Sequence, residues 1–286
     1  MESSIQNSMW SDLKLNKQLL DAIAENNFAA PTDIQKKSIP LILGGQQVIG
    51  IAQTGTGKTA AYMLPLFMKV KFAQGEYARA LILVPTKELV VQVFEQARKL
   101  AHYTDLRITP IYGGVGIKSQ IENIKKGIDI IVATPGRFLE LYQQNELSVK
   151  HIKTLVIDEA DRMMDMGFKH QLHRIFEVIP QKRQNLLFSA TFPDKVEKLS
   201  ENFLEFPVKI EITPQATAAK QVTQELYHVP NMKTKINFLE YLFSKDEFSR
   251  VMIFTRTKES ANNVFKFIDR KVAGMARVIH SNKSQN

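Results

Sequence analysis

The sequence has no cysteine. A disulfide framework and a thiolate metal site are both excluded, and a reducing compartment suits the composition. Long hydrophobic runs are missing too. The longest strand-like runs, such as Ala80–Val84, are about five residues, against the roughly 18 that a membrane-spanning helix needs. The opening stretch, Met1 to Trp10, is polar and lacks the apolar core of a signal peptide. A cytoplasmic protein without a membrane segment is expected. Short-period repeats and low-complexity tracts are absent. So are the Gly-x-Ser-x-Gly elbow of serine hydrolases and the His-Glu-x-x-His pair of zinc peptidases.

What remains is 286 residues, 44% hydrophobic, enough for about two ordinary globular domains. Lys plus Arg number 38 against 29 acids, a net charge of +9. That excess fits a polyanionic partner, and a solvated basic surface equally well. Short apolar runs alternate with longer amphipathic segments. Val48–Ile51, Ala80–Val84, Ile128–Val132, Thr154–Ile157 and Asn185–Phe188 read as strands; Lys58–Val70 and Glu88–Leu100 read as helices. Such alternation implies βαβ units and a parallel sheet, and runs apolar on both faces imply helices on each side of it. A second series begins near Val222, with a helix Lys233–Leu242, a strand Arg250–Phe254, a helix Glu259–Asp269 and a strand Ala276–Ile279. Between the two series, Thr213–Gln221 is small, polar and aperiodic, and reads as a linker. The expected organisation is an α/β domain over residues 1–212, a linker over 213–221 and a second unit over 222–286, thin for an independent α/β core.

Val48–Ile51 leads into Ala52-Gln53-Thr54-Gly55-Thr56-Gly57-Lys58-Thr59 and then a helix, the context of a phosphate-binding loop. Gly55 and Gly57 let the backbone turn its N–H groups around phosphate oxygens, and the helix start adds partial positive charge. Lys58 would meet the β- and γ-phosphates of ATP, and Thr59 would serve Mg2+. Ala52 stands where the first glycine is usual. About 100 residues on, Leu155-Val156-Ile157 runs into Asp158-Glu159-Ala160-Asp161. A strand ending in carboxylates places them at the edge where α/β sheets bind ligands. Asp158 would hold Mg2+, and Glu159 would orient or deprotonate the attacking water.

Asp158-Glu159-Ala160-Asp161 also spells the signature of the DEAD-box helicases, and further segments resemble that family in order. Phe28, Pro31, Thr32 and Gln35 resemble its adenine-reading Q motif, which implies Phe28 stacked on the adenine ring and Gln35 paired with its edge. A loop and helix cap before Ile34–Leu43 explains the same residues without a ligand. Asn27 occupies a usual glycine position, and Trp10 a usual phenylalanine position. Pro85-Thr86-Lys87-Glu88-Leu89 is similar to motif Ia, with Lys87 in place of arginine. Gly113-Gly114 resembles the family's glycine pair, and Thr134-Pro135-Gly136-Arg137 its motif Ib. The resemblance implies that these three segments contact the backbone of one RNA strand. Each is also an ordinary strand-to-helix turn. Ser189-Ala190-Thr191 resembles motif III, which implies a link between ATP state and RNA binding; a hydroxyl-capped turn is the alternative. Val251–Thr257 resembles motif IV and Ile279–Gln285 the segment after it, with His280 expected to be structural or backbone-facing. The runs Asp161–Phe168 and Gln184–Phe192 are most similar to bacterial RhlE-like members.

The resemblance covers about Trp10 to Asn286. It implies a RecA-like P-loop domain with helices flanking a parallel sheet, an incomplete second RecA-like domain, ATP with Mg2+ as cofactors, RNA as partner and a monomer. The family's two late motifs, Thr-Asp-x-x-x-Arg-Gly-x-Asp and His-Arg-x-Gly-Arg, do not occur, and Arg256, Arg270 and Arg277 do not sit in such contexts. An arginine finger is worth about 10³ to 10⁵ in rate. The complete protein is therefore expected to be an RNA-stimulated ATPase and helicase, and this chain to bind ATP and RNA but hydrolyse poorly. Two other classes stay open. One is a nucleotide-gated RNA-binding module without turnover. The other is a DNA-directed P-loop motor, against which Asp-Glu-Ala-Asp and the upstream Gln35 both argue.

Overall fold

Five stretches that are apolar on both faces become the middle of a seven-stranded sheet. The computed structural model describes residues 9–70, 75, 77–212, 223, 225–245, 248, 250–271 and 276–280. The chain divides into two compact units, Met1–Ala218 and Ala219–Asn286. In the first unit the strands are β1 (Val48–Ile51), β2 (Ala80–Leu83), β3 (Ile108–Ile111), β4 (Ile130–Ala133), β5 (Thr154–Ile157), β6 (Gln184–Ser189) and β7 (Val208–Glu211). Their order is β3-β4-β2-β5-β6-β1-β7 and every neighbouring pair is parallel. The α/β expectation holds, and the interior strands are the five that the apolar runs announce.

The two edge strands are the ones that the sequence conceals. β3 alternates between buried and half-buried residues and contains Pro110, which has no N–H to donate and is tolerated only where one side of the strand is unpaired. β7 exposes every residue but Ile210. Neither carries the continuous apolar run of a strand covered on both faces.

Parallel strands need crossovers, and the crossover helices cover both faces. The two-residue period divides the sheet's side chains between two layers. Val48, Ile82, Val156, Leu186 and Phe188 face helices Lys17–Glu25, Asp33–Leu43, Lys58–Lys69 and Lys87–Leu100. Ile49, Leu83, Leu155, Ile157 and Leu187 face helices Pro135–Gln143 and Lys169–Val178. Helix Lys58–Lys69 is buried from Ala60 to Phe67, so the helix that leaves the phosphate loop is locked into the core along its length.

In the second unit, helices Met232–Phe243 and Lys258–Lys271 form as the periodicity predicts. The two strands expected at 250–254 and 276–279 do not: none of these residues pairs in a ladder. Several of their apolar residues are open to solvent, Met252 at 79%, Phe254 at 87% and Ile279 at 87% exposure, while Ile253 and Val278 are half-buried. An apolar run supplies only the propensity to be a strand; the strand needs a neighbour to take its backbone N–H and C=O groups. The linker expectation at 213–221 and the start at Val222 lie outside the described residues, as do 281–285 of the final resemblance. His280 Nε2 lies 3.1 Å from Asn262 Oδ1. Among the described residues no helix is long and apolar enough to cross a membrane.

Candidate nucleotide and nucleic-acid site

Strand order sorts the predicted segments into two halves of one sheet edge. β1, β6 and β5 are neighbours, and their carboxyl ends lead into residues 52–59, Ser189–Thr191 and Asp158–Glu159. β2, β4 and β3 are the next neighbours, and lead into Pro85–Lys87, Thr134–Arg137 and Gly113–Gly114. In sequence the two sets are interleaved; the crossovers separate them. The ladder continues past the strand ends. Ala52 N–H donates to Ser189 O at 3.1 Å, and Asp158 N–H donates to Leu83 O at 3.0 Å, which joins the halves.

In the first half, Gln53, Thr54 and Gly55 are exposed, while Thr56, Gly57 and Thr59 are half-buried. Gly55 and Gly57 have φ of +86° and +89°, a left-handed turn that L side chains rarely adopt. Gly57 caps helix Lys58–Lys69, and among the described residues no side-chain cap bonds its start. Lys58 Nζ donates to Ala52 O at 2.7 Å and stands 3.4 Å from Glu159 Oε1, so its ammonium is held across the mouth of the loop. Asp158 is buried. Its Oδ1 accepts Glu159 N–H at 2.9 Å and its Oδ2 accepts the Tyr62 hydroxyl at 2.9 Å. Burial pushes the Asp158 carboxyl up to about 6, helped by the Glu159 charge and opposed by the Tyr62 hydroxyl and Lys58. Glu159 itself sits at φ +55°, a strained position for a residue with a side chain.

Asp161, which follows β5, ties the ends of β5 and β6 together within this half. Its Oδ2 accepts Thr191 N–H at 3.0 Å and Thr191 Oγ1–H at 2.8 Å, while its own N–H donates to Ser189 Oγ at 3.1 Å. Burial alone would raise the Asp161 carboxyl, but these hydroxyls and the N–H groups of Arg162 and Thr191 hold it below its ordinary value. The capped-turn alternative for Ser189–Thr191 is thereby corrected. Helix Asp194–Glu201 starts at Pro193 without a side-chain cap, and the hydroxyls serve Asp161 instead.

For the upstream segment, the helix-cap alternative is realised and then extended. Thr32 N–H donates to Gln35 Oε1 at 2.9 Å, as in a capping box. Gln35 Nε2 donates to Gly57 O at 3.1 Å, so the same amide braces the phosphate loop. These two bonds use one N–H and one lone pair of the Gln35 amide, and the residue is 1% exposed. Phe28 packs edge-on to Trp10 with centroids 6.4 Å apart, and Trp10 Nε1 donates to Phe28 O at 3.1 Å. Asn27 has φ +56°. Asparagine tolerates the left-handed region better than most residues, which explains how it replaces glycine there.

In the second half, an open groove of about 470 Å3 is lined by Pro85, Thr86, Lys87, Gly113, Thr134, Gly136 and Arg137, together with Glu88, Glu140, Met166 and Phe168. All three predicted backbone-contacting segments reach it. Pro135 is buried as the first residue of its helix, and Gly114 is exposed with φ +83°; neither lines the groove. Lys87 is exposed, its ammonium 5.6 Å from the centre of the Tyr112 ring. Arg137 is held by two 3.2 Å bonds to Val115 O and by Glu140 at 2.8 Å. Sequence reasoning missed Tyr62, Glu140, Met166 and Phe168. Only Tyr62 and Glu140 had a local signal, being one helical turn from Thr59 and Arg137 respectively.

Residues 32–199 match the DEAD/DEAH box helicase family. That span is more than half of the 286 residues. The chain belongs to this family. It is 38% identical over 263 residues to the DEAD-box ATP-dependent RNA helicase RhpA of Helicobacter pylori, covering 92% of this chain and 53% of that protein. The pre-mRNA-processing ATP-dependent RNA helicase PRP5 of Pyricularia oryzae is 37% identical over 287 residues, with 96% and 28% covered. The probable ATP-dependent RNA helicase DDX46 of Homo sapiens is 34% identical over 264 residues, with 90% and 26% covered. The chain thus spans about half or less of the length of these DEAD-box relatives. Family membership brings an expectation of ATP and Mg2+, and the donors suit both. Asp158 and Thr59 offer oxygen ligands to a hard cation. Among the described residues no three His, Cys, Asp or Glu side chains converge to hold a metal ion.

Proposed function

We propose that this chain is the ATP-binding part of an RNA-dependent ATPase that locally opens RNA duplexes. The observation that carries the reading is the division of one sheet edge. A phosphate loop and an acidic pair occupy one half, and three segments suited to a nucleic-acid backbone line a groove in the other. Asp161, which follows the strand bordering the groove half and bonds Ser189 and Thr191, supports a coupling role for that pair.

In this reading, N–H groups of residues 53–59 receive the β- and γ-phosphates, and Lys58 leaves Ala52 O for phosphate oxygen. Mg2+, when bound at Asp158 and Thr59, would neutralise phosphate charge. Glu159 orients the attacking water and takes its proton. Gln35 and Phe28 receive the adenine. Pro85, Thr86, Lys87, Gly113, Thr134, Gly136 and Arg137 serve the RNA strand, Lys87 and Arg137 as its cations, and Gly114 and the buried Pro135 shape the turns beside them. The 286 residues contain no His-Arg-x-Gly-Arg, so on their own they are proposed to bind nucleotide with slow turnover. A second reading is a nucleotide-gated RNA clamp without turnover. We propose a cytoplasmic protein on its cysteine-free composition, and a monomer as the family resemblance implies.

The test is ATP hydrolysis with Mg2+, with and without single-stranded RNA, beside binding of a fluorescent ADP analogue. The analogue should bind and turnover should be slow. Robust RNA-stimulated turnover would overturn the claim of slow turnover. RNA binding with no turnover at all favours the clamp. Equal affinity for DNA and RNA would argue against an RNA-specific groove, since the 2′-OH distinguishes them.

A further inference from the structure

Tyr62 is fully buried in the core beside Phe188, ring centroids 5.3 Å apart. A phenylalanine would fill that space. The hydroxyl is the unexplained part. A buried tyrosine O–H must find a partner, and this one goes to the Oδ2 of Asp158 and not to a backbone carbonyl. Thr59, one helical turn earlier, is its other hydrogen-bonding neighbour. Helix Lys58–Lys69 therefore presents Lys58, Thr59 and Tyr62 to one place, since residues three and four apart share a helix face. The phenol stands between the two side chains assigned to the cation.

We propose that Tyr62 is a positioning residue for the divalent cation, its hydroxyl fixing the Asp158 carboxylate in the orientation that accepts Mg2+ beside bound nucleotide. This rests on the reading of Asp158 and Thr59 as the cation's protein side. Each Asp158 oxygen takes one internal donor, Tyr62 O–H on Oδ2 and Glu159 N–H on Oδ1. Together they set the plane of the carboxylate. Each oxygen keeps lone-pair capacity for a metal or a metal-bound water. With the hydroxyl removed, only the Glu159 N–H holds the group, and the carboxylate can rotate about its side chain. Partners of this kind, bonded to a ligating carboxylate, are worth about 10- to 100-fold in metal affinity.

The experiment uses the full chain and a fluorescent ADP analogue, titrated with MgCl2 and separately in EDTA. In Tyr62→Phe the Mg2+ concentration at half-maximal Mg2+-dependent binding should rise about 10-fold, while affinity in EDTA stays at the wild-type value. Phe188→Leu disturbs the same packing without touching the hydroxyl, and should leave the Mg2+ midpoint where it is. An unchanged midpoint in Tyr62→Phe overturns the proposal. So does an equal loss in EDTA and in Mg2+, or an equal shift in Phe188→Leu, because each assigns the effect to packing. If wild type itself shows no Mg2+-dependent nucleotide binding, it is the nucleotide reading that fails.

Discussion

At the carboxyl ends of β1 and β5, the charged side chains of Lys58, Asp158 and Glu159 are buried and bonded to one another. At the ends of β2, β3 and β4 the chain lines an open groove. Lys58 is 5% exposed and already engaged with Ala52 O and Glu159, and Asp158 is 4% exposed and engaged with Tyr62 and Glu159. Lys87, Gly113 and Gly136 stand in solvent. The contrast has a physical consequence for each half. Buried, pre-bonded groups meet a small anion with little reorganisation and strong local fields. Cations in solvent meet a polyanion by displacing counterions, an effect that salt weakens steadily. One half is built for geometry and the other for length of contact.

The largest expected effect breaks the first half alone. Lys58→Ala removes a charge-assisted bond to phosphate worth about 1.5–3 kcal/mol, or roughly 10- to 100-fold in nucleotide affinity. RNA affinity without nucleotide should hold. Equilibrium binding of the fluorescent ADP analogue and of labelled single-stranded RNA measures both; unchanged nucleotide affinity would sink the loop assignment. Next, the same substitution in the same backbone conformation should separate the halves. A Cβ at Gly57 would lie 2.4 Å from Gln35 Nε2, whereas one at Gly114 meets nothing within 4 Å. Both have positive φ, so Gly114→Ala costs about 1–2 kcal/mol from the backbone alone. Gly57→Ala should cost more, because it also displaces Gln35 from Gly57 O and Thr32 N–H. Urea unfolding of both variants reads the difference, and equal losses would mean that the Gln35 brace contributes nothing.

Smaller again is the effect in the groove. Lys87→Ala should weaken single-stranded RNA binding a few-fold and reduce the slope of log affinity against log salt by about 0.7. Nucleotide binding should not move. An unchanged slope would remove Lys87 from the phosphate-contacting set.

The two halves were also unequally legible in the sequence. The phosphate loop is contiguous, and its glycines, lysine and flanking strand can be read in one line. Asp158 and Glu159 follow directly from an apolar strand. The interior strands are visible because burial on both faces writes itself as an unbroken apolar run, while β3 and β7, covered on one side or less, leave no such trace. Met166 and Phe168 reach the groove only because the chain turns there after helix Ala160–Asp165, and nothing in their local spacing says so. Gln35 was open to a cap reading and a ligand reading; the fold shows that the cap braces Gly57, a link across 22 residues that no local pattern contains. The strands expected at 250–254 and 276–279 fail for the converse reason, since propensity is local and pairing is not.

The smallest effect tests the link between the ends of β5 and β6 inside the first half. Thr191→Val keeps the side-chain volume and deletes the Oγ1–H donated to Asp161 Oδ2. The Thr191 N–H still donates to that oxygen, so the loss at neutral pH should be only about 1 kcal/mol. Its pH dependence is the sharper readout. The Asp161 carboxyl lies below its ordinary value in the folded chain, so the native state binds fewer protons there than the unfolded state does. Its contribution is fully present above the unfolded value of about 4 and is lost as pH falls through the lower folded value. In Thr191→Val the carboxyl rises, because burial persists with one donor fewer. The variant should therefore be less stable than wild type at pH 7 and converge on it as acid protonates Asp161 in both. Urea unfolding from pH 7 down the acid limb measures this. A stability gap that stays constant with pH would assign the loss to packing and would break the link from Asp161 to Thr191.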